Sequence, residues 1–182
     1  KKVKAHPQIM VPQISSIAEL NHIKKIYDII KKETETKYKM KLKINFGTMI
    51  EVVRAALTAD ELAKTAEFFS FGTNDLTQGT FSFSREDVEG KFLSEYMEKE
   101  LLERNPFQSI DVTGVGSLIK IGIAAGRGVR PNMEVGICGE HGGDPSSIKF
   151  CHGEGLSYVS ASPHRIPIAI VAAAQAAIEQ PK

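Results

Sequence analysis

Short apolar runs alternate with amphipathic stretches along the whole of this chain. Residues 8–14 (QIMVPQI) read as a buried strand. Ser16 followed by Glu19 then forms a capping-box signature. Leu20, Ile23, Ile26, Tyr27 and Ile30 follow at helical spacing, with Lys24, Lys25, Asp28, Lys31 and Lys32 on the other side. The Thr/Lys-rich segment 34–41 is expected to close that unit. The pattern then recurs with different residues. Residues 43–50 (KINFGTMI) read as a second strand, and Thr58 with Glu61 as a second capping box opening a short helix. Residues 67–72 (EFFSFG) give a third strand, and a longer insertion follows. Within it a helix is expected near 91–104, stopped by Asn105-Pro106, and another covers about 115–127. Residues 133–138 (MEVGIC) and 156–161 (LSYVSA) are the fourth and fifth strands. The Ala-rich segment 166–179 has Pro167 in a favoured place for a first helical turn.

Strand and helix in this alternation predict an α/β fold with parallel strands. Five strands fit either an open doubly wound sheet or part of a barrel, since a full eight-stranded barrel needs about 250 residues. The chain has 182. No internal repeat, low-complexity tract or linker of domain-boundary length interrupts it, so residues 1–182 are read as one partial domain.

Composition narrows the partners. The chain is 42% hydrophobic and 25% charged, ordinary for a globular domain, and its net charge of +1 gives no electrostatic reason to expect nucleic acid or an anionic membrane. No apolar run reaches the ~18 residues of a membrane span. Residues 1–12 hold no secretory pattern, although the chain opens without Met. Two cysteines, Cys138 and Cys151, are too few for a disulfide framework, which favours a reducing intracellular compartment, cytoplasmic or organellar.

Three strands end in chemically capable residues. The second runs into Gly47-Thr48-Met49-Ile50-Glu51, the third into Gly72-Thr73-Asn74-Asp75, and the fourth into Cys138-Gly139-Glu140-His141-Gly142-Gly143-Asp144. Parallel strands bring their carboxyl ends to one face, so Glu51, Asp75 and Cys138 are expected to converge. Two carboxylates meeting without a basic partner repel, and a hard cation such as Mg²⁺ relieves that repulsion with oxygen ligands. Either acid could instead cap the helix that follows it. Cys138 reads as a buried structural thiol or as a proton donor and acceptor. A zinc site from Cys138, His141, Cys151 and His152 has the spacing C-x₂-H-x₉-C-H, which matches no common ligand pattern.

The stretches GTMIE, SFGTNDLTQ and GICGEHGGDPSS, followed by YVSASPHRIPIA, together resemble the phosphoenolpyruvate-utilising enzymes. The continuation CGEHGGDPSS is similar to the dikinases of that family, and the resemblance runs from about Gln8 to Ala177. It implies roughly the last five strands of a (β/α)₈ TIM-type barrel. It implies that Glu51 and Asp75 bind Mg²⁺, that Gly72, Thr73 and Asn74 contact substrate oxygens, and that Cys138 exchanges the proton at the substrate methyl carbon. The substrates would be pyruvate and phosphoenolpyruvate, with phosphoryl arriving from a phosphohistidine domain elsewhere in a longer, homodimeric chain. Val53 stands where the family pattern has Pro, and Gly79 where it has a bulkier residue. Arg54 and Arg165 are read as structural. Two other readings remain open: a non-catalytic oxyacid-binding or dimerisation module, and a hydrolase using Cys138 and His141.

Overall fold

The computed structural model describes residues 5–181; residues 1–4 and 182, which include the start of the segment read for a leader pattern, lie outside the described residues. The five strands are β1 (Gln8–Val11), β2 (Asn45–Ile50), β3 (Phe68–Gly72), β4 (Glu134–Cys138) and β5 (Tyr158–Val159). All neighbours pair in parallel, and their order in the sheet is their order in the chain. A doubly wound sheet reverses strand order at its switch point. This one does not. It is singly wound, as a sector of a β/α barrel is, and the α/β expectation with five parallel strands holds.

The sheet is also curved. Gln8 on β1 donates through its side-chain amide to Glu134 on β4 at 2.9 Å, although two strands lie between them. Three strand spacings measure about 14 Å in a flat sheet. The contact therefore closes over a concave face. On the opposite face β2, β3 and β4 send Phe46, Ile50, Phe69, Phe71, Val135 and Ile137 into one core with Leu20, Leu62, Ile119 and Ile123 of the helices.

The first helix, α1 (Ile17–Tyr38), begins as its sequence predicts: the Ser16 hydroxyl accepts from the Glu19 N–H and the Glu19 carboxylate returns to the Ser16 N–H. Its end is a correction. Residues 34–38 continue the helix, because Thr34 and Thr36 turn their hydroxyls back onto the Ile30 and Lys32 carbonyls instead of breaking the turn. The helix stops at Lys39, a left-handed residue. Its expected apolar stripe is only half used: Leu20 is buried, but Ile26 and Ile30 are 48% and 56% exposed.

The second capping box does not form. Two short helices, α2 (Val53–Leu57) and α3 (Ala59–Ala63), meet at Thr58, whose hydroxyl donates back to the Arg54 carbonyl and caps nothing. After β3 the chain enters α4 (Thr73–Phe81) directly, so that Asp75 lies inside the first turn of the helix and does not cap it. Of the expected helix over 91–104 only α6 (Leu93–Glu98) forms, preceded by a separate short helix, α5 (Arg85–Glu89), and the chain leaves regular helix well before Asn105-Pro106, near Glu100, another left-handed residue. A small separate cluster of Val88, Leu93 and Phe107 holds this insertion. The remaining helices are α7 (Val115–Val129), α8 (Pro145–Gly153) and α9 (Ile166–Glu179), the last with Pro167 in its first turn.

Candidate active site at the carboxyl ends of the strands

Strand register builds the site. Ile50 pairs with Phe71 and Gly72 pairs with Cys138, so Glu51, Gly72 and Cys138 stand in one row where the strands end. Gly72 must be small there. A Cβ on it would lie 2.5 Å from Glu51 Oε2 and 2.7 Å from Met49 Sδ. Because it is missing, Glu51 folds across the end of β3 and is almost fully buried.

Asp75 reaches the same place from the first turn of α4. It accepts from the side-chain amides of Gln13 at 2.9 Å and Gln78 at 3.0 Å. The Gln13 backbone N–H meanwhile donates to Glu51 Oε1 at 2.6 Å. Burial raises the Glu51 carboxyl above the ordinary carboxylate range, and the neighbouring Asp75 pushes it the same way against the Gln13 bond. Two acids abut without a basic side chain bonded to either among the described residues. A hard cation with oxygen ligands fits this donor set, with two carboxylates from the protein and the rest of its shell from substrate and water. Among the described residues no group of three or more His, Cys, Asp or Glu side chains gathers as a fuller metal cage.

Cys138 faces this pair across Met49. Its Sγ lies 3.9 Å from Met49 Sδ and 3.7 Å from the Phe71 carbonyl oxygen. Burial pushes the thiol up, and the negative charges of Glu51 and Asp75 add to that. It is half-buried and keeps its proton at neutral pH. Cys151 differs: it is sealed in the core and burial pushes it up to about 12.

Thr73 is wholly buried, with its hydroxyl 3.0 Å from the Cys138 carbonyl and 2.7 Å from His141 Nδ1. The Thr73 N–H stands at the start of a helix whose N-cap, Gly72, supplies no side-chain cap. Asn74 sits beside it and accepts from the Glu140 N–H at 3.4 Å through Oδ1. Gly139, at φ +109°, takes a backbone conformation open to few side chains, and a Cβ there would crowd Thr73 Oγ1.

His141 is not a base for Cys138. Its Nε2 donates to the Pro106 carbonyl at 2.8 Å and its Nδ1 meets Thr73, while burial lowers its pKa and keeps the ring neutral. The other residues weighed for zinc are dispersed likewise, with His152 bonded to the Gln180 carbonyl. Arg54 ties α2 to the carbonyl of Ser15. Arg165 lies over Gly143 and lines a recess of about 350 Å³ with Asn74, Gly139, Glu140 and Ser162, closer to the site than its sequence context suggested. A second recess, about 540 Å³, is lined by Gln13, Glu51, Val53, Asp75, Gln78 and Gly79. The two departures from the family pattern meet in it: a Cβ on Gly79 would stand 3.1 Å from Val53 Cγ2. Sequence reasoning assigned no role to Gln13, which carries no motif of its own, or to Gln78, the last residue of the SFGTNDLTQ stretch.

The family described as PEP-utilising enzyme, PEP-binding domain, matches residues 1–178. A pyruvate, phosphate dikinase of Entamoeba histolytica is 53% identical over 99% of this chain, and a chloroplastic pyruvate, phosphate dikinase of Arabidopsis thaliana is 54% identical over 94%. The chain spans 20% and 18% of the length of those relatives. A crystal structure of a citrate lyase from Burkholderia xenovorans shares the fold, with a TM-score of 0.59 at 18% identity over 91% of this chain and 48% of that one. On the family match and the identity to the dikinases, this chain belongs to the PEP-utilising enzymes and forms their PEP-binding domain.

Proposed function

We propose that this chain supplies the pyruvate and phosphoenolpyruvate site of a pyruvate phosphate dikinase. The whole reaction converts ATP, pyruvate and phosphate to AMP, phosphoenolpyruvate and diphosphate. The observation that carries the reading is the abutting pair Glu51 and Asp75, set in one strand-end row with Gly72 and Cys138. Mg²⁺ held by those two carboxylates would supply positive charge to a developing enolate oxygen.

The rest is done by the chain's own groups. The uncapped N–H groups of Thr73 and Asn74, at the positive end of α4, suit a substrate carboxylate or phosphoryl oxygen. Cys138 handles the carbon. Its thiol is protonated at neutral pH and so can deliver a proton to the enolate methylene carbon, giving the methyl group of pyruvate. In the other direction the sulfur takes that proton as the enolate forms. Phosphoryl would come from a phosphohistidine domain in a longer chain.

The flanks support a protein partner. Ile168, Ile170, Val171 and Ile178 of α9 are 50% to 80% exposed, which suits a homodimeric contact. No helix among the described residues is long and apolar enough to cross a membrane. The test is Mg²⁺-dependent exchange of solvent deuterium into the pyruvate methyl group, followed by proton NMR. Exchange in the wild type and its loss in Cys138→Ala is the expected result. Exchange that survives Cys138→Ala would remove the thiol from the mechanism.

A further inference from the structure

Gln13 is the residue of this site that no motif explains. It sits just past β1, is exposed, and holds φ at +54°, a left-handed conformation that a glutamine adopts only when its surroundings impose it. Two contacts impose it. The backbone N–H points at Glu51 Oε1, 2.6 Å away, and the side-chain amide reaches Asp75 Oδ2, 2.9 Å away. One residue thus spans the gap between the two carboxylates, which are contributed by different elements 24 positions apart in sequence.

The other amide on Asp75 behaves differently. Gln78 donates to Oδ1, but its own Oε1 accepts from the Arg85 N–H at 3.0 Å, so it is fixed at both ends and lies on the same helix as Asp75. Gln13 has no such second tether: among the described residues nothing donates to its Oε1. If one of the two amides moves, it is Gln13.

We propose that the Gln13 side chain is a displaceable latch across the cation site. This rests on the reading of Glu51 and Asp75 as Mg²⁺ ligands and goes beyond it. The side-chain amide donates to Asp75 Oδ2, one of the oxygens that a divalent ion held by this pair would ligate. Cation binding and the Gln13–Asp75 bond therefore compete. The backbone bond to Glu51 does not compete in this way, since it engages Oε1 and leaves Oε2 free of protein donors among the described residues. Gln13 is in these terms a positioning residue: its N–H sets Glu51 and its side chain sets how strongly the pair takes up an ion.

The experiment is Mn²⁺ titration of the chain by calorimetry and by loss of the free-ion electron paramagnetic resonance signal, with no substrate present. Gln13→Gly keeps the backbone donor and suits the left-handed conformation while removing the amide. It is expected to bind Mn²⁺ about three- to tenfold more tightly, the worth of one hydrogen bond removed from the competing state. Gln13→Lys places a fixed positive charge in the same span and is expected to weaken binding about tenfold or more. Thermal melts of both variants against wild type confirm that each is folded. Asp75→Ala separates the two claims. If wild type fails to bind Mn²⁺, or binds it as well after Asp75→Ala, the cation-site reading fails. If binding needs Asp75 but Gln13→Gly is unchanged or weaker, the latch is refuted and the site stands.

Discussion

The centre of the sheet and its two flanks are built to different standards. In β3 every residue from Phe68 to Gly72 is buried, and Phe69 and Phe71 are completely covered by α2, α3 and α7. On the flanks, β1 exposes Ile9 and Met10, α1 exposes Ile26, Ile29 and Ile30, and β5 is two residues long. Both regions carry large apolar residues. What differs is whether a neighbour covers them. The catalytic candidates stand on the finished part: Glu51, Asp75 and Cys138 all attach to β2, β3 and β4 or to the helix that leaves β3. The packed centre carries these three residues, and the β1 flank reaches them only through Gln13, which bonds both acids.

The sharpest way to break this comparison is to empty the centre. Phe71→Ala, which removes a fully buried ring, is expected to cost about 3–5 kcal/mol in urea unfolding. Ile170→Ala on the 64% exposed face of α9 should change folding stability by no more than about 0.5 kcal/mol. Ile170→Lys should instead reduce any self-association seen by sedimentation velocity. Equal stability losses at the two positions would dissolve the contrast.

A smaller effect tests the electrostatics at the centre. The Glu51 carboxyl is raised in the folded chain, so the folded state holds its proton to higher pH than the unfolded state does. Between the two values the folded form binds more protons, and stability falls as pH rises. Above that window Glu51 is a destabilising charge. Glu51→Gln should therefore raise the melting temperature at neutral pH without added divalent ion, by about 2–4 °C for an effect of order 1 kcal/mol. The gain should vanish well below the ordinary carboxylate pKa, where wild-type Glu51 is protonated in both states. A gain that persists unchanged in acid would point to packing, not charge.

The smallest effect belongs to the insertion's surface. Lys99→Ala removes an exposed ion pair with Glu95, and its cost by thermal melt should stay under about 0.5 kcal/mol.

The parts of this fold that were legible in the sequence are those governed by near neighbours. All five strands are visible as apolar runs, and the Ser16–Glu19 box is a three-residue relation that the chain honours. The same signature at Thr58 and Glu61 fails, because the Arg54 carbonyl one turn back is a better partner for the hydroxyl than the next helix. Helix α4 is invisible for a related reason. Its residues Thr73 to Thr80 are polar or glycine apart from Leu76, too few apolar positions for a helical stripe, and the helix packs on β3 and α7. The convergence of Glu51, Asp75 and Cys138 follows from parallel strands alone. The part played by Gln13 could not be read, since its partners lie 38 and 62 residues away and it has no periodicity to betray it.

The most direct test of the central claim is titration calorimetry with oxalate, a planar mimic of the pyruvate enolate, with and without Mg²⁺ and with Asp75→Ala. The account predicts binding that appears only when Mg²⁺ and Asp75 are both present, and that survives Cys138→Ala. Oxalate binding that ignores Mg²⁺, or that persists after Asp75→Ala, would contradict it.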